Sequence, residues 1–464
     1  MLSDLTPQLY TLLIICIFTV CIFEFINGFH DTANAVATVI YTKTLHPTFA
    51  VIWSGIFNAL GAFTGVGVAL SIINLLPIDI LMTQGLYNNI AMVLAILTAA
   101  IIWNFGTWYI GIPSSSSHTL IGSMLGVGLV YSMLPDNLLG IGVNWAKAKE
   151  IGLALLVAPL IGFTFSITLM FILKSFVKDK KLFREPEEDA RPPLWIRAIL
   201  ICTCTGVSYS HGSNDGQKGI ALMIIVLMTF APLEFALKSD FDPNKAAVAI
   251  EEIKHVLQGN ISQNIATKEL GKVTEAIDEL EKDVRAFNPK NAEQLFNIRK
   301  RILFLQKQVK VFLDEPGIIS NQADRAEIKS GIKQLQGYVN YSPWWVTALV
   351  ALCLGIGTMI GWKRIVITIG EKIGKRHMTY AEGATAEIVA AGTISASSWL
   401  GLPVSTTHIL SSGVAGSMVA SKGIKNLQRG TIKNIALAWI LTLPVTIVLS
   451  GVLYLLFRWI VTMI

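Results

Sequence analysis

Two aspartates stand among residues that disfavour a bare charge. Asp31 in GFHDTANA (28–35) and Asp215 in GSNDGQKG (212–219) each interrupt an otherwise apolar run. A carboxylate at membrane depth is costly and persists where it faces a cavity or a partner, so both are candidate functional groups. The two octapeptides align at an offset of 184. A buried pair that only holds helices together is the competing structural reading, and duplication in register argues against it. Gly28 and Gly212, with Ala35 and Gly219, permit either an unwound helix or close helix contact.

A second motif pair combines Gly-x-Pro, hydroxyls and a His. GIPSSSSH (111–118) matches GLPVSTTH (401–408) at an offset of 290. Pro113 and Pro403 suit the first turn of a helix. Ser115, Ser116 and Ser117, and their partners Ser405, Thr406 and Thr407, then fall at helix starts, where free N–H groups and the dipole attract anions. A Ser/Thr run before a helix is usually a cap. Two symmetric runs accompanied by two Asp favour a binding site for a tetrahedral oxyanion. His118 and His408 are in register, and either bond between helices or take part in coupling. Glu24 and Glu387 are the other acids in apolar runs. Glu387 faces Leu97 across the 290 offset, so it breaks the symmetry, and a satisfied core acid and a coupling residue both remain open.

The elements that carry these residues are membrane helices. Apolar runs long enough to cross a bilayer occupy 9–27, 50–73, 90–110, 150–173, 343–361, 380–400 and 434–462, and 53% of the 464 residues are apolar. The first run is expected to stay in the chain, because residues 1–8 carry no Lys or Arg and no small-residue cleavage site follows. The five Cys (16, 21, 202, 204, 353) fall in apolar segments without metal-ligand spacing and read as packing residues. The formal charge of +6 reads as loop asymmetry, not as nucleic-acid affinity.

The two offsets differ by 106, so the second copy should contain about that much extra sequence. Residues 233–342 supply it, with 16 acidic and 16 basic side chains. The chain thus divides into membrane repeat 1 (1–176), a basic loop (177–197), the start of repeat 2 (198–232), the insert (233–342) and the remainder of repeat 2 (343–464). Lys and Arg cluster at 174–197, 363–376 and 422–433, whereas 74–89 and 134–146 hold none. Placing the basic loops inside gives the two repeats opposite orientation, with sites expected at midplane on broken or re-entrant helices. Both termini and the insert are then expected on the periplasmic side. Within the insert, Leu270, Val273, Ile277, Leu280, Val284 and Phe287 form one helical stripe. Leu295, Ile298, Ile302, Leu305, Val309 and Phe312 form another, beyond a turn at Asn288-Pro289. The spacing predicts an antiparallel hairpin.

NGFHDTANAV (27–36), SHGSNDGQKG (210–219), GIPSSSSH, GIGTMIGWKRIVITIGEKIG (355–374) and GLPVSTTH together resemble the PiT family of inorganic phosphate transporters. The resemblance is strongest to bacterial low-affinity Pit permeases and covers nearly everything outside 233–342. It implies phosphate uptake at the bacterial cytoplasmic membrane by cation symport, through a lipid-embedded homodimer, with no resident cofactor and no enzymatic activity. For bacterial Pit proteins it also implies proton symport of neutral metal–phosphate complexes. The family's Asp and Asn residues map to Asp31 with Asn34 and to Asn214 with Asp215; its hydroxyl loops map to 115–117 and 405–407. Two positions depart from the sodium-type pattern: His30 and Lys218 each replace an amide with a protonatable nitrogen, which favours protons over sodium.

Two carboxylates near an anion site repel the substrate. At about 5 Å and an effective dielectric near 20, each unscreened pair costs roughly 3 kcal/mol. Obligatory cation symport follows from that repulsion. Lys218 is expected either to neutralise Asp215 as a tethered cation or to snorkel to an interface. His30, with an unperturbed pKa of about 6.5, is the expected titrating group beside Asp31. Another oxyanion such as sulfate is the alternative cargo. An intramembrane hydrolase using Ser117 or Thr407 with a neighbouring His is disfavoured, because adjacent helical residues do not face each other.

Overall fold

In hydrocarbon each backbone N–H must find its partner inside the segment, so uncharged apolar runs fold as helices. The computed structural model describes residues 5–464 except 32, 78–79, 81–84, 136, 138–139, 187–191, 261–266, 315–318, 320, 462 and 464. The side chains of 33–34, 259–260, 267–270, 272 and 314 also fall outside the description. Helices dominate, and the described residues contain no β-strand element.

The first half supplies α1 (Pro7–Asp31), α2 (Ala33–Tyr41), α3 (Pro47–Ala62) and α4 (Gly67–Ile73). It continues through α5 (Leu86–Tyr109), α6 (Ser116–Ser132) and α7 (Trp145–Phe176). After α8 (Leu194–Phe230) come the insert helices α9 (Pro243–Asn260), α10 (Thr267–Arg285), α11 (Ala292–Asp314) and α12 (Gln322–Val339). The chain ends with α13 (Trp344–Met359), α14 (Tyr380–Trp399), α15 (Thr406–Lys422) and α16 (Arg429–Val461). The stretch Pro7–Tyr41 and the helices α5, α7 and α16 are each long and apolar enough to cross a membrane. Helices α3 and α4 meet at a 71° break.

Two compact units result: 12–80, 87–225 and 342–464 form one, and 1–11, 81–86 and 226–341 form the other. In the insert unit the stripes of α10 and α11 are buried from Val273 to Val284 and from Leu295 to Phe312; Leu270 lies outside the described side chains. The flanking helices α9 and α12 pack on this pair and on each other. Arg299 is fully buried there, donating Nη1–H to the Ala236 carbonyl at 3.0 Å. Burial pulls its guanidinium down to about 10.

Glycines set the spacing of the membrane unit. Gly28 of α1 lies against the backbone of α13 at Leu354 and Thr358, and Gly212 of α8 lies against the α3 carbonyl at Asn58. A Cβ at either position would overlap main-chain atoms. The same close approach joins α6 to α16 through Gly126 and Ile447, and α7 to α15 through Gly162 and Ile409. Each contact therefore pairs a first-half helix with a second-half helix. Of the two uses the sequence allowed for Gly212, the structure adopts close contact, because α8 runs through its motif as one helix.

Gly212→Val should destabilise the folded protein by about 1–3 kcal/mol or more, the usual cost of overpacking. Gly106→Ala meets nothing within 4 Å and should be neutral or stabilising by up to about 1 kcal/mol. Thermal unfolding in detergent compares the two; equal midpoints would remove the close-contact role.

Candidate functional site

Both hydroxyl motifs fold the same way. Helix α5 ends as the Gly111 N–H reaches the Trp108 carbonyl and the Ile112 N–H reaches the Thr107 carbonyl. Helix α14 ends with the matching bonds from Gly401 to Ser398 and from Leu402 to Ser397. This is a Schellman stop, and Gly111 (φ 72) and Gly401 (φ 70) take the left-handed conformation that it requires. The chain then turns back into the protein. Ser115 and Ser405 cap α6 and α15 by accepting the N–H of His118 and His408, each at 3.1 Å. Pro113 and Pro403 therefore precede the caps instead of opening the first turn. The reason is chemical: a serine hydroxyl can satisfy a free N–H at the helix start, and proline cannot.

The capped helix starts are buried, and their next hydroxyls meet the two aspartates. Ser116 donates to Asp31 Oδ2 at 2.8 Å and Thr407 donates to Asp31 Oδ1 at 2.7 Å. Thr406 faces Asp215 Oδ2 at a longer 3.5 Å. Lys218, only 1% exposed, places its ammonium 2.8 Å from Asp215 Oδ2 and 2.8 Å from the Ser116 hydroxyl. His30 Nδ1 lies 3.1 Å from Asp31 Oδ1, and its Nε2 lies 3.2 Å from the Thr107 hydroxyl. Removing one partner from such a buried pair strands the other charge away from water, which costs several kcal/mol.

Other expected site residues have different duties. Ser117 donates to the Val404 carbonyl at 2.6 Å, tying the two hydroxyl loops together. Asn214 holds the loop before α15: it donates to Ser398 and the Leu402 carbonyl and accepts from the Val404 N–H. Asn34 lies outside the described side chains. The His118 and His408 rings lie tilted with centroids 4.6 Å apart, and His408 stacks on Trp439 at 4.0 Å. Glu387 accepts hydroxyl hydrogen bonds from Thr38 and Thr203.

His211 lies within the second Asp motif, SHGSNDGQKG, but motif reading gave it no role. Its Nε2 lies 3.1 Å from Asp215 Oδ2 and 3.8 Å from Asp31 Oδ2, so it bridges the two carboxylates. Its Nδ1 is held by Asn58 Oδ1 at 3.0 Å. The available signal was its position four residues before Asp215 on one helix face. Asp31, His211 and Asp215 each bring a ligand-type atom within 4.8 Å of the others.

The phosphate transporter family, PHO4, matches residues 27–450. The chain belongs to that family. It is 40% identical to the low-affinity inorganic phosphate transporter of Buchnera aphidicola from Acyrthosiphon pisum, over 97% of both chains. It is 38% identical to the low-affinity inorganic phosphate transporter PitB of Escherichia coli K12, covering 96% of this chain and 97% of that one. A solved structure titled the sodium-dependent phosphate transporter shares the fold, with a TM-score of 0.55, 21% identity, and 97% and 100% coverage.

Within this phosphate transporter family chain, the central charge arrangement is an ammonium shared by a carboxylate and a hydroxyl at a helix start. Lys218→Met should destabilise the protein by about 3–5 kcal/mol, because the buried Asp215 loses its ammonium partner. Adding Asp215→Asn should recover most of that loss. Detergent melting of both variants tests the pairing; a double variant no more stable than the single would refute it.

Proposed function

We propose that the chain is a secondary transporter that imports inorganic phosphate by proton symport. Family membership supports the cargo. The observation that carries the mechanism is Lys218, whose ammonium sits 2.8 Å from both Asp215 and Ser116. An anion entering between the starts of α6 and α15 meets Asp31 and Asp215, each repelling it by roughly 3 kcal/mol at about 5 Å. Lys218 offsets one of those charges without an ion from the medium, and His211 or His30 can offset the other on protonation. Sodium is then not required at the second half-site. Phosphate suits the site better than sulfate does, because hydrogen phosphate has an O–H to donate to an aspartate and sulfate has none.

The same geometry supports a second reading of the cargo as a neutral metal–phosphate complex, since Asp31, His211 and Asp215 converge as potential ligands. Glu387 remains a candidate coupling acid, and the His118–His408 pair a candidate relay. The crosswise contacts of α1 with α13, α8 with α3, α6 with α16 and α7 with α15 are what two inverted repeats would make. On that topology the termini and the 233–342 insert face the periplasm, and the protein works as a homodimer in the inner membrane.

In proteoliposomes the protein should exchange labelled phosphate for phosphate and accumulate it when the lumen is alkaline, with no response to a sodium gradient. Ser116→Ala and Thr406→Ala should each weaken phosphate binding about tenfold, the worth of one good hydrogen bond. Sodium-driven accumulation without a pH response would overturn proton coupling, and equal competition by sulfate would overturn the choice of cargo. Protease added to intact spheroplasts should cut at the exposed turn 288–290; cutting only in inverted vesicles would reverse the orientation.

A further inference from the structure

A third carboxylate lies close to Lys218, and nothing above uses it. Glu24 is on α1, two turns before Asp31, and is 0% exposed. Its carboxyl packs on Gly219, the residue after Lys218; a Cβ on Gly219 would fall on Glu24 Cγ, Cδ and Oε1. The partners of Glu24 are few. Asn27 donates Nδ2–H to Oε2 at a long 3.4 Å, while Glu24 Oε1 and Asn27 Oδ1 are both buried without a hydrogen-bond partner. From α8 it faces the charges of Lys218 and Asp215, and from α13 the Cys353 thiol. Among the described residues it makes no ion pair, because Lys218 is engaged by Asp215.

Glu387 provides the contrast. Both of its oxygens accept hydroxyl hydrogen bonds, so neither is left unserved. Glu24 has one weak donor and an orphaned oxygen, and a buried ion so poorly served is expensive. A neutral carboxylic acid is not: its O–H can donate to the Asn27 carbonyl oxygen after a flip of that amide, since the O and N of an amide are assigned, not seen. That gives the Asn27 oxygen a donor and leaves no charge buried on Glu24. The geometry points to Glu24 as the group that carries the symported proton, an inference that rests on the proton-symport reading above. With Glu24 protonated, Lys218 stays on Asp215 and Ser116 and the phosphate site is complete. When Glu24 releases its proton, its carboxylate competes with Asp215 for the same ammonium. Asp215 is then partly uncovered and repels phosphate. One proton bound on the outer side and released on the inner side accompanies each phosphate, and no covalent bond other than O–H changes.

Glu24→Gln holds the protonated shape permanently. In proteoliposomes it should retain phosphate-for-phosphate exchange but lose accumulation driven by a pH gradient, and its phosphate affinity should become flat with pH. pH-driven accumulation by Glu24→Gln equal to that of the unmodified protein would overturn the inference. If Glu24→Gln does not exchange, Glu24→Asp decides. Uptake with a displaced pH midpoint supports a proton carrier; an unmoved midpoint, or an inactive Asp variant, means that Glu24 is structural and overturns it. Absence of exchange in the unmodified protein would instead defeat the transport reading beneath it.

Discussion

An ammonium held out of water between a carboxylate and a hydroxyl is the interaction on which the centre of this protein depends. Lys218 joins α8, which carries Asp215, to the start of α6, where Ser116 in turn donates to Asp31. One cation thus links both repeated aspartates and a hydroxyl helix. Water would weaken such a link many times over, whereas in a low-dielectric interior it resists separation. The surrounding helices must therefore pack closely enough to exclude water.

Glycine achieves that packing. Where Gly28, Gly212, Gly126 and Gly162 let backbones touch, a first-half helix locks onto a second-half helix. Apolar side chains in lipid gain little by associating, so close backbone approach and buried hydrogen bonds are what hold such helices together. The crosswise pairing also brings residues 85 to 376 positions apart into single hydrogen bonds, as in Ser116 with Asp31 and Thr407 with Asp31. The Schellman stops at Gly111 and Gly401 then return the chain into this interior and deliver two capped helix starts to the aspartates.

The hydroxyl motifs divide their labour by position. The first residue, Ser115 or Ser405, caps the helix, and the second and third point at carboxylates or across to the opposite loop. Capping consumes one hydroxyl and orients the others, so helix capping and contacts with the aspartates coexist within four residues. The insert follows different physics. Its apolar stripes bury one another and its charges pair across α9 and α10, as Lys254 does with Asp278 and Glu281.

Much of this was written in the sequence. Uncharged apolar runs demand helices, a charged block with helical stripes demands a separate packed unit, and an Asp repeated in register in apolar surroundings demands a partner. The motif pairs also announced hydroxyls at helix starts, because Gly, Pro and Ser have local conformational preferences that act within a few residues. What the sequence could not settle was which distant atoms meet. It left Lys218 free to pair or to snorkel, Gly212 free to unwind or to touch, and His211 and Asn214 without assigned partners. Those outcomes depend on helices that approach from 150 or more residues away: Asn58 beside His211, Val404 beside Asn214, and Glu24 beside Gly219. Local preference reaches one or two helical turns, whereas the energy of a buried charge is set by whatever the tertiary packing places against it.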